Sequence, residues 1–360
     1  MESASPPTMR FTAIWQSKDD GADWPLRDWL MQLFEPFISN HVFDAKHEIV
    51  MDNVILFDSF IYVHDPEYYK KFHGKNAFLV HLGDEFLELG ADRYVHFRGV
   101  FRNIWSSVFN PRHVMVLPLG YYNKGTGAIA VPASDRRYAW SFVGEGAKVS
   151  RPDMVRAMSP IEPHMCFSST PIRGLTFFSH SPTGRKKVSK QDFVQLLRQS
   201  AFAPSPMGNA TLESCRVYDA LETGAIPIIE KRWTLDYFKD LLGDHPLPTI
   251  TSWNQAHDLV VRLLKDPVKL DELQQACIQW WKSYQSALIG RIEKFLEERS
   301  VAKDELVPLQ SRLPQLAFWQ YAELLRHHNM PALGRRVVTQ LTRATQQRKW
   351  RLASTRRDQA

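Results

Sequence analysis

The sequence predicts an α/β protein with two doubly wound, mainly parallel sheets that face each other. Its 360 residues are more than twice the roughly 150 residues of a typical domain, so two cores are expected. With 44% apolar and 23% charged residues, the chain falls outside the disordered and coiled-coil classes. Short β-branched runs alternate with helical patterns, as in parallel α/β layers. We expect Rossmann-like domains at 1–134 and 135–300, and a helical, basic extension at 301–360.

The first half contains alternating predicted strands and helices. Short apolar strand patterns lie at 11–15, 53–59, 77–85, 94–100 and 113–120. Helical spacing is found near 24–37, near 65–72 and at 102–109. Pro66 suits the first turn of the second of these helices. A stretch rich in Gly, Ser, Pro and Asn at 121–137 is expected to connect the two domains.

The second half repeats this alternation. Strands are expected at 137–146, 201–206, 225–230 and 248–251. Helices are expected at 193–200, 210–223, 234–242, 257–266 and 268–298. Ligands of open parallel sheets bind beyond the carboxyl ends of the strands, so functional residues are expected in the loops that follow them.

The basic character of the chain belongs to its carboxyl-terminal segment. The formal net charge is +6, and eight Lys or Arg residues with no acidic residue lie between 335 and 357, which leaves 6 − 8 = −2 elsewhere. This segment fits a solvated terminal helix, a peripheral membrane contact with Trp350 at the interface, or a nucleic-acid contact. We expect no specific nucleic-acid partner.

Cysteine spacing and hydropathy indicate a cytoplasmic protein. Cys166, Cys215 and Cys277 lie too far apart in sequence for a zinc motif or a disulfide framework, which suggests a reducing compartment. The first fifteen residues lack the pattern of a signal peptide, and no apolar run is long enough to span a membrane. Any membrane association is therefore expected to be peripheral, through the basic segment.

The most informative stretch, at 200–230, has the order strand, glycine turn, helix, glycine stop, strand. Gly208 and Asn209 allow a tight turn, and Asn209 or Thr211 is expected to cap the next helix. The free N–H groups of such a helix start bind anions such as a diphosphate. Arg216 and Asp219, three residues apart, suit phosphate and ribose hydroxyls, although such a pair also fits a solvated surface.

This ordered combination resembles the nucleotide-sugar-binding segment of exostosin-like glycosyltransferases. The residues on its motif positions are Ser200, Phe202, Pro206, Gly208, Arg216, Asp219, Gly224, Ile226 and Pro227. Asp219 stands where glutamate is commoner, one methylene shorter. The segments at 117–122 and 136–154 are similar to the branch that contains ribitol xylosyltransferase and related bacterial proteins. The resemblance covers about residues 50–300 and implies a GT-B fold, with the donor held by the second domain and the acceptor by the first.

Donor-binding residues are expected around this motif. They are Lys148, Arg151, Arg185, Ser205, Gly208, Asn209, Arg216 and Asp219. Arg151 and Lys148 follow a predicted strand and would balance the diphosphate charge, but they also fit a solvated loop pair. Arg185 belongs to a basic turn that is either donor-binding or solubilising. No Asp-x-Asp pair ends a predicted strand, so we expect arginines and a helix end, with no metal, to hold the diphosphate.

Transfer to a hydroxyl acceptor requires a general base. Asp84 and Glu85 directly follow a predicted strand and are the first candidates, although one of them can instead cap the next helix. Asp58 is the second choice. A further set, Arg98, Arg102 and Asn103, is expected to follow another strand and either to line the acceptor side of the cleft or to contact the donor phosphates from across it. Arg102 and Asn103 fit the start of a helix equally well.

The resemblance implies an inverting glycosyltransferase that transfers a sugar from a nucleotide-sugar donor, expected to be UDP-linked, to a glycan or polyol-phosphate acceptor. Xylose is the sugar suggested by the closer branch, and no cofactor beyond the donor is expected. Three alternatives remain open: a noncatalytic nucleotide-sugar-binding or glycan-binding protein, another GT-B enzyme such as a nucleotide-sugar epimerase, and a nucleic-acid-binding protein that uses the basic segment.

Overall fold

The computed structural model describes the chain in eleven segments. They are 10–16, 26–43, 50–59, 66–84, 91–105, 109–124, 131–146, 149–168, 188–208, 211–232 and 236–302. The predicted fold class is confirmed: two parallel sheets, one from each half of the chain, are flanked by helices.

The first sheet has six parallel strands in the order β2-β1-β3-β4-β5-β6. The strands are β1 (Phe11–Trp15), β2 (Ile38–Phe43), β3 (Val54–Ser59), β4 (Ala77–Leu82), β5 (Gly99–Arg102) and β6 (Val114–Val116). Its helices are α1 (Arg27–Phe34) and α2 (Pro66–Lys70), with 3₁₀ turns at Glu35–Phe37 and Ala91–His96. Every residue of β4 is buried, as expected for a central strand with both faces covered.

The second sheet has five parallel strands in the order β11-β10-β9-β7-β8. The strands are β7 (Tyr138–Gly144), β8 (His164–Ser168), β9 (Ser200–Pro204), β10 (Ile226–Glu230) and β11 (Thr249–Ile250). The helices are α3 (Arg151–Met158), α4 (Lys190–Arg198), α5 (Cys215–Thr223), α6 (Tyr237–Leu242), α7 (Trp253–Leu264) and α8 (Pro267–Val301), and a 3₁₀ turn at Ala133–Asp135 precedes β7.

The structure corrects the prediction around β5. Residues 94–100 were expected to form a strand and 102–109 a helix, but Ala91–His96 is a 3₁₀ helix and the strand is Gly99–Arg102. Residue 99, the first of this strand, must be glycine because α8 packs directly on it: a Cβ there would lie 2.6 Å from the Phe295 ring. This contact spans almost 200 residues of sequence and leaves no local signal. Arg102 therefore ends a strand and does not start a helix.

The sequence analysis also missed three elements, namely β2, α3 and β8. The edge strand β2 has mostly exposed or half-buried side chains, so it lacks the apolar run that marks the central strands. The helix α3 begins at Arg151 with Pro152 in its first turn, a signal that was available in the sequence.

The last described helix, α8, returns from the second half to the first. Trp281 stacks on Trp29 of α1 with ring centroids 5.5 Å apart, and Phe295 packs edge-on to Phe101 at 5.0 Å. Arg299 Nε donates to the Arg98 carbonyl at 2.8 Å. Arg98 precedes β5 and so lies at the amino end of that strand. The expectation that Arg98 follows a strand is therefore wrong, because Arg98 instead holds the end of α8 through Ala302.

Candidate active site

The strand order of the second sheet reverses between β7 and β9, which are neighbours although α3, β8 and α4 separate them in sequence. Such a switch point opens a crevice at the carboxyl ends of the two strands, where open α/β sheets bind ligands. The segments that leave these ends are 144–146 and 205–208. Two predicted donor residues, Arg151 and Arg216, lie here.

Arg151 and Arg216 converge on the carboxyl end of β7 from two different helices. Arg216 Nη2 donates to the Val143 carbonyl at 2.8 Å, and its guanidinium lies 4.5 Å from the Phe142 ring centre. Arg151 Nη1 donates to the Glu145 carbonyl at 2.9 Å. Burial, and then the charge of Arg151, lower the pKa of Arg216 to about 9. Two guanidinium groups at the same strand end favour the binding of an anion there.

The predicted turn before α5 is present, but the helix begins later than expected. The Gly208 N–H donates to the Thr211 carbonyl at 2.9 Å, and a Cβ at Gly208 would lie 2.5 Å from the Glu213 carbonyl oxygen, so this close approach requires glycine. Helix α5 starts at Cys215, and Ser214 Oγ accepts from the Arg216 N–H at 3.3 Å. The expected cap at Asn209 or Thr211 is therefore wrong.

Gly224 and Ser205, on either side of the Arg216 helix, have different roles. Gly224 ends α5 in the left-handed region with φ 69°, as predicted from its place after the helix. Ser205 is fully buried, and its Oγ donates to the Ala203 carbonyl at 3.0 Å. Ser205 thus supports the end of β9 in this structure.

Asp219 faces the chain that connects the two sheets. Its Oδ1 accepts from the backbone N–H groups of Tyr122 and Asn123, both at 2.9 Å, and the residue is 4% exposed. Burial raises the pKa of this carboxyl to about 6, although the two amides and Arg216 act in the opposite direction. Tyr122 is itself half exposed. The motif carboxylate thus also fixes the backbone of the connection.

The structure reveals a buried carboxylate, Glu213, that the sequence analysis did not single out. Its Oε1 accepts from the Leu119 N–H at 2.6 Å and from the Tyr218 hydroxyl, and its Oε2 accepts from the Tyr237 hydroxyl at 2.9 Å. The Tyr237 oxygen also accepts from the Trp105 N–H at 3.1 Å. Glu213 lies between a glycine turn and a helix, and nothing in the neighbouring sequence indicates that its side chain makes these long-range contacts.

A cavity of about 410 Å³ opens at the carboxyl ends of β10 and β11, beside the starts of α3 and α7. This volume is within the range of small-molecule sites, about 300–1,000 Å³. One wall is the Glu230 carboxylate, to which Arg232 and the Trp253 indole N–H donate. Burial raises the pKa of Glu230 despite these partners. Ser150, which precedes α3, also lines the cavity.

Polar side chains occupy one row at the carboxyl edge of the first sheet. Asp58, His81 and Arg102 are paired in register across β3, β4 and β5, and each is at most 2% exposed. The side chains two residues earlier on these strands are apolar and buried, so each strand changes from apolar to polar at its carboxyl end. This change is visible in the sequence once the strands are aligned.

Tyrosines and arginines hold this row in place. The Tyr69 hydroxyl donates to Asp58 Oδ2 at 2.6 Å. Arg102 Nη1 donates to the Tyr94 hydroxyl at 3.0 Å, and that hydroxyl lies 2.6 Å from His81 Nδ1. Burial and the nearby guanidinium of Arg102 put the pKa of His81 well below its ordinary value, so this histidine is neutral.

Asp84 lies in the turn after β4 and is 3% exposed. Its Oδ2 is 3.8 Å from Arg102 Nη2, and the same Nη2 donates to the Asp84 carbonyl at 3.2 Å. Asn103 Oδ1 accepts from the Gly83 N–H at 3.0 Å. Arg102 and Asn103 therefore brace the turn that carries the first candidate base.

Four predicted site residues lie outside the described residues: Glu85, Lys148, Arg185 and Asn209. The basic segment at 335–357 lies outside them as well. Within the described segments, no group of three or more His, Cys, Asp or Glu side chains is placed to hold a metal ion. No helix in the same segments is both long and apolar enough to cross a membrane.

Residues 126–301 match the family model of the RXYLT1 C-terminal domain. No curated protein sequence matches the chain. The structure is similar to an α1,3-fucosyltransferase with GDP, with 14% sequence identity, a TM-score of 0.51, and coverage of 86% of this chain and 95% of that one. It is also similar to the DNA-modifying enzyme β-glucosyltransferase, with 11% identity, a TM-score of 0.51, and coverage of 80% and 100%.

The two structural likenesses establish the fold, and the family model identifies the second half. The resemblance to the ribitol xylosyltransferase branch, inferred from the segments at 117–122 and 136–154, is confirmed by this match, which includes the second of these segments. Together the findings support a glycosyltransferase. Residues 126–301 thus match the family model of the RXYLT1 C-terminal domain, and the structure has the GT-B fold.

Proposed function

We propose that the chain is an inverting, metal-independent glycosyltransferase that moves a sugar from a UDP-linked donor to a polyol-phosphate or glycan acceptor. The observation that carries this proposal is the convergence of Arg151 and Arg216 at the β7/β9 switch point. A nucleoside diphosphate leaving group gains negative charge as the glycosidic bond breaks, and two fixed guanidinium groups stabilise that charge.

The second half would hold the donor. The diphosphate would lie against Arg151, Arg216 and the start of α5, where free N–H groups add a favourable dipole. The cavity of about 410 Å³ at the carboxyl ends of β10 and β11 provides ligand-sized space in the same half. Lys148, Arg185 and Asn209 remain proposed donor contacts, and Asp219 a proposed ribose contact. We propose xylose as the transferred sugar because the matched family model is that of RXYLT1.

The first half would bind the acceptor, whose hydroxyl must lose a proton to a base at the carboxyl edge of the first sheet. Asp84, Glu85 and Asp58 are the proposed bases. Asp84 is supported by the turn that Arg102 and Asn103 hold, since a fixed carboxylate loses little freedom on reaching the reactive geometry. In an inverting reaction this base removes the hydroxyl proton while the oxygen attacks the anomeric carbon and the nucleoside diphosphate leaves.

A thermal-shift panel tests the donor site. UDP-xylose, UDP-glucose, UDP, GDP-fucose and GDP are each added to the wild type, Arg216→Ala and Arg262→Ala, with and without EDTA. Arg262 is exposed on α7 and serves as the matched control. We expect UDP-linked compounds to stabilise the wild type and the control but not Arg216→Ala, with no effect of EDTA. If no nucleotide stabilises the wild type, or if Arg216→Ala responds equally, the donor site is wrong; if EDTA removes the shift, a metal takes part.

Single replacements test the base. Asp84→Asn, Glu85→Gln and Asp58→Asn are compared with Asp258→Asn, which changes an exposed carboxylate on α7. Replacement of the true base should lower turnover by about 100-fold or more and leave donor affinity unchanged. Unchanged rates in all three would show that the base lies elsewhere.

A further inference from the structure

Glu213 joins the two halves of the molecule through its side chain. One carboxylate oxygen accepts from the Leu119 N–H, just after β6 of the first sheet. The other accepts from the Tyr237 hydroxyl, whose oxygen in turn accepts from the Trp105 N–H, in the loop after β5. Both amides belong to the carboxyl edge of the first sheet, the edge at which an acceptor is proposed to bind.

The backbone of Glu213 belongs to the proposed donor site. Its carbonyl oxygen lies against Gly208 so closely that a methyl group would not fit, and it is 3.4 Å from the Thr211 hydroxyl, which donates to it. The next residue, Ser214, caps α5 and precedes Arg216. Any movement of this turn on binding a diphosphate must therefore move Glu213.

Both ends of Glu213 are held firmly enough to transmit such a movement. The residue is 2% exposed, and hydrogen bonds to a buried carboxylate are strong because the charge has few other partners in the interior. Loss of one of these bonds leaves a donor or an oxygen unpaired and is costly. The segments at Leu119 and Trp105 thus follow the position of the carboxylate.

We propose that Glu213 is a positioning residue that couples donor binding in the second half to the carboxyl edge of the first sheet. This inference rests on the proposed function, because it requires a nucleoside diphosphate at the Gly208 turn. Binding there fixes the turn, the turn fixes the carboxylate, and the carboxylate fixes the segments around Leu119 and Trp105. The enzyme thereby orders its acceptor edge once the donor is present.

Amide hydrogen exchange tests this coupling with UDP as the probe and GDP as a second probe. In the wild type, UDP should slow exchange at the Leu119 and Trp105 amides by about fivefold or more, the range of ordinary coupling between sites. Glu213→Gln cannot accept from both Leu119 and Tyr237, so it should still bind UDP but lose the slowing at one of the two amides or at both. Glu222→Gln is the matched control, because Glu222 lies on α5 and accepts from Trp281 and Gln285 of α8.

A second variant separates the connection from Glu213 to Trp105 from the connection to Leu119, and it remains informative if Glu213→Gln fails to fold. Tyr237→Phe removes the hydroxyl that links Glu213 to Trp105, so the effect of UDP should vanish at Trp105 and persist at Leu119. Slowing at both amides in Tyr237→Phe overturns the proposal, as does UDP binding that changes neither amide in the wild type. If neither UDP nor GDP binds the wild type, the proposed function itself fails, a result distinct from binding without coupling.

Discussion

Replacement of Asp219 by asparagine should change how the stability of the protein depends on pH. Asp219 is 4% exposed, and burial raises its pKa from an ordinary 3.8 to about 6. Asparagine keeps a carbonyl oxygen that can accept from the Tyr122 and Asn123 amides, but it has no proton to gain or lose. The comparison therefore isolates the cost of a buried charge from the value of the two hydrogen bonds.

The size of the pH effect on stability follows from the folded and the ordinary pKa values of Asp219. Because the folded pKa is the higher one, the folded protein binds more protons than the unfolded chain between pH 3.8 and about 6, so stability falls as pH rises through this window. The difference between the folded and the ordinary pKa of Asp219, 6 − 3.8 = 2.2, corresponds to a change of about 3 kcal/mol in the free energy of unfolding across the whole window. Between about pH 4.5 and about pH 7.5, the wild type should lose about 2 kcal/mol relative to Asp219→Asn.

Urea unfolding at these two pH values measures the effect. The free energies of unfolding of both proteins are extrapolated to water, and equal m-values are required for the comparison. Asp266→Asn gives a control with almost no pH dependence in this range, because a hydrogen bond from Lys269 lowers the pKa of Asp266 and its stabilisation is lost only as pH falls below its ordinary value of 3.8. The reasoning would be refuted if the difference in free energy of unfolding between the wild type and Asp219→Asn were the same at both pH values, or if it favoured the wild type more at high pH.

Two further perturbations test the packing that supports the site. Gly208→Ala places a Cβ 2.5 Å from the Glu213 carbonyl oxygen and should destabilise the protein by about 1–3 kcal/mol in urea unfolding. Gly290→Ala, in the interior of α8 with open space around it, should instead stabilise by about 0.5–1 kcal/mol; equal effects at both sites would contradict the steric explanation. Gln274→Leu should cost about 3 kcal/mol or more, since Gln274 pairs with backbone groups of Val131, Ala133 and Gly224. A loss below about 1 kcal/mol would mean that these groups find other partners.

Much of the second half could be predicted from local sequence because its signals are local. The order of strand, turn, helix and glycine stop around α5 depends on residues within a few positions of one another, such as Gly224 at the helix end. Central strands such as β10 are short apolar runs that need no knowledge of their neighbours. The helix cap was misplaced because Asn209, Thr211 and Ser214 are all acceptable caps, and only the close approach of Gly208 to Glu213 decides among them.

The errors in the first half involve contacts between residues far apart in sequence. Phe295 of α8 packs on Gly99, the first residue of β5, and Arg98, at the amino end of that strand, contacts the end of α8. Asp58 and Arg102 were each noticed in the sequence, but their alignment with His81 in one row requires the strand register. Sequence spacing does not report register between strands that lie 20 residues apart.

By itself, the sequence determined the fold class, the order of most helices and strands, and the motif that identifies the second half, because periodicity and turn chemistry act over a few residues. Only the tertiary structure decided how the halves meet. It brought Arg151 next to Arg216, turned Asp219 toward the connecting chain, and placed Glu213 between the proposed donor turn and the edge of the first sheet. These contacts depend on distances between residues far apart in the chain, which the arrangement of the two sheets sets and local sequence does not encode.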